Sequence, residues 1–155
     1  GLLHPLALGS IALLAVNDHV LKAAFPGPFT GKLSDVAGMV LLPLFLVAAV
    51  ELGEAVLGRF AAPSRRVLLL AIAVSVVVFA AIKTLPAAAD AYRIALGALQ
   101  WPVEAIGAAL RGRPLPALHR VALVRDPTDL VALPAAVLAW MAGRRRPSSA
   151  AIVDD

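Results

Sequence analysis

The stretch VLLLAIAVSVVVFAAI, Val67 to Ile82, decides the class of this chain. Ser75 is its one polar residue. Extended to Pro86, which ends it, the segment is long enough to cross the roughly 30 Å of bilayer hydrocarbon, for which a helix needs about 20 residues. The rest of the chain agrees with this reading. Of 155 residues, 61% are hydrophobic and 15% charged. At the usual soluble share the chain would carry about 39 charges, whereas it has 14 basic and 10 acidic residues. So few charges cannot cover a globule of this size. An ordinary soluble enzyme, a disordered chain and a nucleic-acid domain are thereby excluded, and the lack of cysteine excludes a disulfide scaffold.

Three further stretches read as spans. The first covers about 5–25, opened by Pro5 at the first helical position and closed by Pro26-Gly27-Pro28. It lacks a basic start and carries Asn17, Asp18, His19 and Lys22 late, so it does not read as a cleaved signal peptide. The second covers about 34–57, with Ser34 or Asp35 as its N-cap. The fourth covers about 126–143, where Asp126-Pro127-Thr128-Asp129 reads as N-cap, N1 proline and first-turn acid. Residues 147–155 read as a short mobile tail after a single membrane domain over 1–146.

Between spans three and four, Asp90, Arg93, Gly97, Gln100, Glu104, Gly107 and Arg111 recur at alternating spacings of three and four. This is a narrow polar stripe on an apolar helix over about 88–111. It lies in the interface plane, with Tyr92 and Trp101 at headgroup level, or it forms a fifth span with the stripe facing inward. Gln100 and Glu104 would sit mid-span in the second case, which favours the first. The predicted fold is all-α: a four-helix transmembrane bundle with an additional amphipathic interfacial helix, the alternative being five transmembrane helices.

Arginines 59, 65 and 66 lie between spans two and three, and arginines 144, 145 and 146 follow span four. Four spans put both groups on one side, which the positive-inside rule makes cytoplasmic, together with both termini. Arg111, Arg113, Arg120 and Arg125 would then be outside, which argues the other way.

On this map Lys22, Asp35, Lys83 and Asp129 fall within roughly 5 Å of one depth at the outer end. Asp18 stands one turn before Lys22, a favourable i, i+4 pair. Asn17 and His19 flank it, and Thr30, Lys32, Arg125 and Asp126 lie just above. A charge in hydrocarbon is expensive unless it pairs, faces inward or meets water. Each residue also has a plainer role. The lysines could snorkel, Asp35, Asp126 and Asp129 could only cap helices, and His19 could be a core residue. Those roles do not explain why the polar groups gather at one end.

Lys22, Lys32, Lys83 and Arg125 suit a phosphate or carboxylate. Asp18, Asp126 and Asp129 beside Lys83 are the acid–base candidates, and Asn17, His19, Lys22, Lys32, Asp35 and Arg125 the binding candidates. Metal-ligand spacing is absent: His4, His19 and His119 are scattered. No cofactor motif is present either.

The strings Thr30-Gly31-Lys32-Leu33-Ser34-Asp35 and Asp126-Pro127-Thr128-Asp129-Leu130, with Asn17, Asp18, His19 and Lys22, resemble a group of small bacterial multi-pass membrane proteins. The resemblance runs from about His4 to Trp140. It implies no function and draws attention to Lys32, Asp35, Asp126 and Asp129.

The expectation is therefore a bacterial inner-membrane protein whose partners are membrane lipids, not nucleic acid. It would bind, and could process, a polar or anionic lipid-linked substrate at the extracytoplasmic face. The alternatives are an oligomeric transporter or channel subunit and a structural subunit of a membrane complex.

Overall fold

The computed structural model describes residues 2–59 and 64–144, and the described residues are all-helical apart from turns and one long extended segment. Arg145, Arg146 and the tail after them lie outside the described residues. Helix α1 (Pro5–Val16) begins as expected. Pro5 stands at its start, and the His4 Nδ1 accepts from the Leu6 N–H at 3.1 Å. The chain continues through a π-helical turn, Asn17–Leu21, into the short α2 (Lys22–Ala24). Helix α3 runs Pro28–Val56, α4 Arg65–Thr84 and α5 Pro86–Leu110. A 3-10 stretch, Pro127–Ala135, leads into α6 (Ala136–Arg144).

Among the described residues three segments are long and apolar enough to cross a membrane: Pro5–Ala24, Pro28–Val56 and Arg65–Thr84. Two sequence expectations need correction. The second long helix starts at Pro28, not near Ser34, so Ser34 and Asp35 lie inside α3 and cap nothing. A proline fits the first helical position because its missing N–H would have no partner there. The fourth predicted span is not one α-helix, since its first half winds as a 3-10 helix.

The described residues form two compact units, one up to Val77 and from Asp129 onward, the other Val78–Thr128. In the first, α3 packs on α1 and α6. Its core joins Ala7, Val40, Leu44, Val47, Leu68, Ala71, Ala139 and Ala142. Four of these eight are alanines, while the larger Leu8, Phe45, Leu70 and Val77 are exposed. A soluble core would bury more of those large side chains. Bilayer helices associate through close contact of small residues, and lipid solvates the large ones. Gly143 illustrates the closeness: a Cβ there would lie 2.6 Å from a Leu68 methyl. Ser75 is fully buried, and its Oγ donates to the Ala71 carbonyl at 2.8 Å, so the polar atom in the most apolar span is satisfied within its own helix.

The second unit is a hairpin of helix and extended chain. Gly112, at φ 62°, ends α5. Its N–H bonds the Ala109 carbonyl and that of Arg113 the Ala108 carbonyl. This glycine-terminated stop satisfies the last carbonyls and turns the chain back. Residues 113–126 then return as a strap with no regular secondary structure. The Val121 N–H donates to the Arg93 carbonyl at 3.2 Å, and Arg93 Nε donates to the Val121 carbonyl at 3.3 Å. Trp101 Nε1 donates to the Pro116 carbonyl at 2.8 Å, and His119 lies 3.6 Å from Glu104. The His119 carbonyl rests on Gly97, where a Cβ would fall 1.9 Å from it. The polar stripe of α5 is thus the bed of its own returning chain.

Candidate functional site

In the first unit the polar residues collect around the π-helical turn. A π turn closes bonds five residues apart, as the Lys22 N–H does to the Asn17 carbonyl, and such turns are frequent at functional sites. Asn17 is 0% exposed. Its Nδ2 donates to the Thr30 carbonyl and to Ser34 Oγ, each at 2.7 Å. Ser34 Oγ passes its own proton toward Asp18 Oδ1 at 3.0 Å. The same Asp18 oxygen holds Lys22 Nζ at 2.7 Å, the pair that the i, i+4 spacing predicts. Thr30 is buried, and its hydroxyl donates to the Gly27 carbonyl at 2.9 Å, fixing the turn into α3.

A second contact lies in the same unit. Lys32 Nζ meets Asp129 Oδ1 at 2.8 Å and ties α3 to the 3-10 stretch across 97 residues of sequence. Asp129 is 7% exposed. A carboxylate so deeply placed is tolerable when a cation and hydrogen bonds compensate the lost hydration. Asp35, half-buried, stands one residue beyond Ser34 on α3.

One atom of the network stands out. Asn17 Oδ1 is a buried side-chain acceptor without a hydrogen-bond partner. Buried polar atoms are nearly always bonded, and an unbonded one in a native site calls for a specific explanation.

The remaining candidates lie in the second unit. Lys83 is 6% exposed, with its ammonium 5.4 Å from the centroid of the Phe79 ring, so it is not turned out to lipid. Arg125 is exposed and donates to the Thr84 carbonyl at 3.3 Å. Asp126 accepts the Thr128 N–H at 2.8 Å, which is the helix-capping contact expected of it. His19 is exposed, so the core role considered for it is corrected. Among the described residues no cluster of histidine and acidic side chains could hold a metal ion.

Sequence reasoning missed Ser34 as a site residue. It read Ser34 as a cap, whereas its hydroxyl joins Asn17 to Asp18. Had Pro28 been read as the first helical residue, Ser34 would have fallen inside the helix and needed another partner. Comparison with known protein families, with characterised proteins and with solved structures finds no match to this chain.

Proposed function

We propose that the polar end of the first unit binds the headgroup of a polar or anionic lipid-linked molecule at the extracytoplasmic face of the bacterial cytoplasmic membrane. The observation that carries this reading is the unbonded Asn17 Oδ1. A network serving only to hold helices satisfies its own members, because a half-satisfied buried network is costly. An acceptor left open asks for a donor from outside, such as a headgroup hydroxyl or amine. Lys22 stands one π turn away and is half exposed with its three N–H donors, one of them toward Asp18. A phosphate on Lys22 and a hydroxyl on Asn17 describe a phosphate ester carrying free hydroxyls. Within this unit Asp18 and Asp129 are the acid–base groups for any processing of the bound molecule.

Four crossings suit this reading. A 3-10 residue rises about 2.0 Å and an α residue about 1.5 Å, so Pro127–Ala135 with Ala136–Arg144 extends about 31 Å, enough to cross. Arg59, Arg65, Arg66 and Arg144 then share the cytoplasmic side, with both termini. A transporter draws less support, because Val40, Leu44 and Val47 of α3 lie in an apolar core.

The test uses the full chain in nanodiscs with a fluorophore at Ala23→Cys, quenched by brominated phosphatidylglycerol or brominated phosphatidylcholine. The reading expects stronger quenching by the glycerol lipid, reduced several-fold by Lys22→Gln or Asn17→Leu. Lys22→Gln removes an exposed pair worth little to stability, so the chain stays folded. Equal quenching by both lipids would sink the proposal.

The direct Lys32–Asp129 pair favours a second reading, in which the charges lock the helices in register. Under it, Lys32→Met and Asp129→Leu each lower the melting temperature, the double variant recovers it, and lipid preference at Ala23→Cys never arises.

A further inference from the structure

The α5 hairpin presents two opposed faces. On one, the strap covers the polar stripe at Arg93, Gly97, Trp101 and Glu104. On the other, Tyr92, Leu99, Val103, Ile106 and Leu110 are exposed, Leu110 at 83%. Those five recur at helical spacing, so they form one apolar ridge opposite the strap. The strap is itself largely exposed, and from Ala105 to Arg125 the chain carries four arginines and no acid.

Physical chemistry restricts where such a hairpin can lie. Exposed extended backbone is not tolerated in hydrocarbon, where its N–H and C=O groups would have no water. The strap runs beside α5 from Arg93 to Trp101, so that length of α5 shares its level. The apolar ridge, equally, does not suit water. Both conditions hold at the headgroup boundary, with the ridge in the upper acyl region and the strap among the phosphates.

We infer that the α5 hairpin is a membrane-surface clamp, whose exposed Arg111, Arg113, Arg120 and Arg125 hold anionic phospholipid headgroups while the Tyr92–Leu110 ridge seats in the acyl boundary. The juxtaposition names the occupant. A soluble protein partner would accept the ridge but leave the arginines unmatched, whereas an anionic lipid surface matches both. Arginine forks bind phosphate bidentately and always carry charge. Each basic residue near such a surface strengthens binding roughly fivefold. This surface is distinct from the Asn17 site and stands whether or not that site binds a ligand.

The chain has no cysteine, so single-cysteine labels need no background removal. Two measurements on the full chain in nanodiscs decide the matter. Spin labels at Tyr92→Cys, Leu99→Cys, Ile106→Cys and Leu110→Cys are expected at one depth, within about 5 Å just below the phosphates. A spanning α5 would spread positions 92 and 110 by about 27 Å in depth, and that gradient would overturn the inference, as would labels in water. A fluorophore at Ala117→Cys on the strap is expected to be quenched several-fold more by brominated phosphatidylglycerol than by brominated phosphatidylcholine. The Arg111→Gln/Arg113→Gln/Arg120→Gln variant should abolish that preference and leave the signal at Ala23→Cys unchanged. Equal quenching by the two lipids in the unaltered strap overturns the anionic clamp. Failure of the headgroup site shows only at Ala23→Cys, so the two outcomes are separable.

Discussion

Adding one methyl group at Gly97 should lift the strap from α5. The ideal Cβ falls 1.9 Å from the His119 carbonyl oxygen and 3.1 Å from its carbon. Carbon and carbonyl oxygen approach to about 3.3 Å at closest, so the strap must withdraw by about 1.4 Å. The obstacle is backbone, which cannot rotate away as a side chain would. Such a shift lengthens the Val121 N–H bond to Arg93 from 3.2 Å and the Trp101 bond to Pro116 from 2.8 Å beyond useful range, and the Arg93–Val121 return bond goes with them. Three bonds at about 1 kcal/mol each, less about 1 kcal/mol gained in helix propensity on replacing glycine, leave about 2 kcal/mol against the docked strap. That is roughly a thirtyfold rise in the open form. Trypsin reads this population, because cleavage after Arg120 requires the strap to leave α5 and follows the open fraction when reclosing is fast. Gly107→Ala is the control. Its Cβ would meet only the movable end of Arg111, 3.2 Å away, so cleavage at Arg120 should stay unchanged. Equal cleavage of native protein, Gly97→Ala and Gly107→Ala would refute the packing argument.

Three further predictions follow from close contacts and caps. Gly143→Ala drives a methyl into the two Leu68 methyls, 2.6 and 2.8 Å away, and should destabilise the first unit by about 1–3 kcal/mol in thermal unfolding. Combined with Leu68→Ala, the loss should fall well short of the sum, and simple additivity would refute direct contact. Asp126→Ala removes the acceptor of the Thr128 N–H and should cost about 1 kcal/mol, seen as faster exchange of that amide; unchanged exchange would deny the cap. Lys32→Met leaves Asp129 without that cation and should cost about 3 kcal/mol; under the four-crossing proposal that is enough to reduce the fraction of chains whose last segment crosses, read by a C-terminal compartment reporter. If the reporter signal is unaffected, the pair does not hold that segment.

The spans were legible because their signal is local. Val67 to Ile82 needs no partner to be read as a crossing, and the helix begins two residues earlier, at Arg65. Pro5 marks the start of the first span, and Asp126-Pro127 the start of the 3-10 stretch, by chemistry confined to three residues. Pro28 shows where local reading fails. The sequence Pro26-Gly27-Pro28 breaks one helix and starts the next, and nothing local says that the break is only a turn. The stripe on α5 was legible as a stripe but not as a bed. Periodicity shows that one face is polar, and it cannot say whether water, another helix or the chain's own return covers it. An extended strap has no helical period to announce it, although Pro114 and Pro116, two residues apart, disfavour a helix there.

The polar end was legible in composition and not in pairing. Spacing alone gives Asp18 with Lys22, because four residues are one helical turn. It cannot give Lys32 with Asp129, where 97 residues of chain must fold before the contact exists. Still less can it give the state of Asn17 Oδ1. Residue types state how many donors and acceptors a site contains, and only the folded arrangement states which are used. Asn17 brings two donors and an oxygen; Thr30 and Ser34 take the donors, and the oxygen is left open in a buried place. The charges that first draw the eye, Lys22, Lys32, Asp18 and Asp129, are matched to one another. The group left to meet a ligand is therefore a neutral side chain, whose open acceptor sets the kind of ligand that would complete the proposed site.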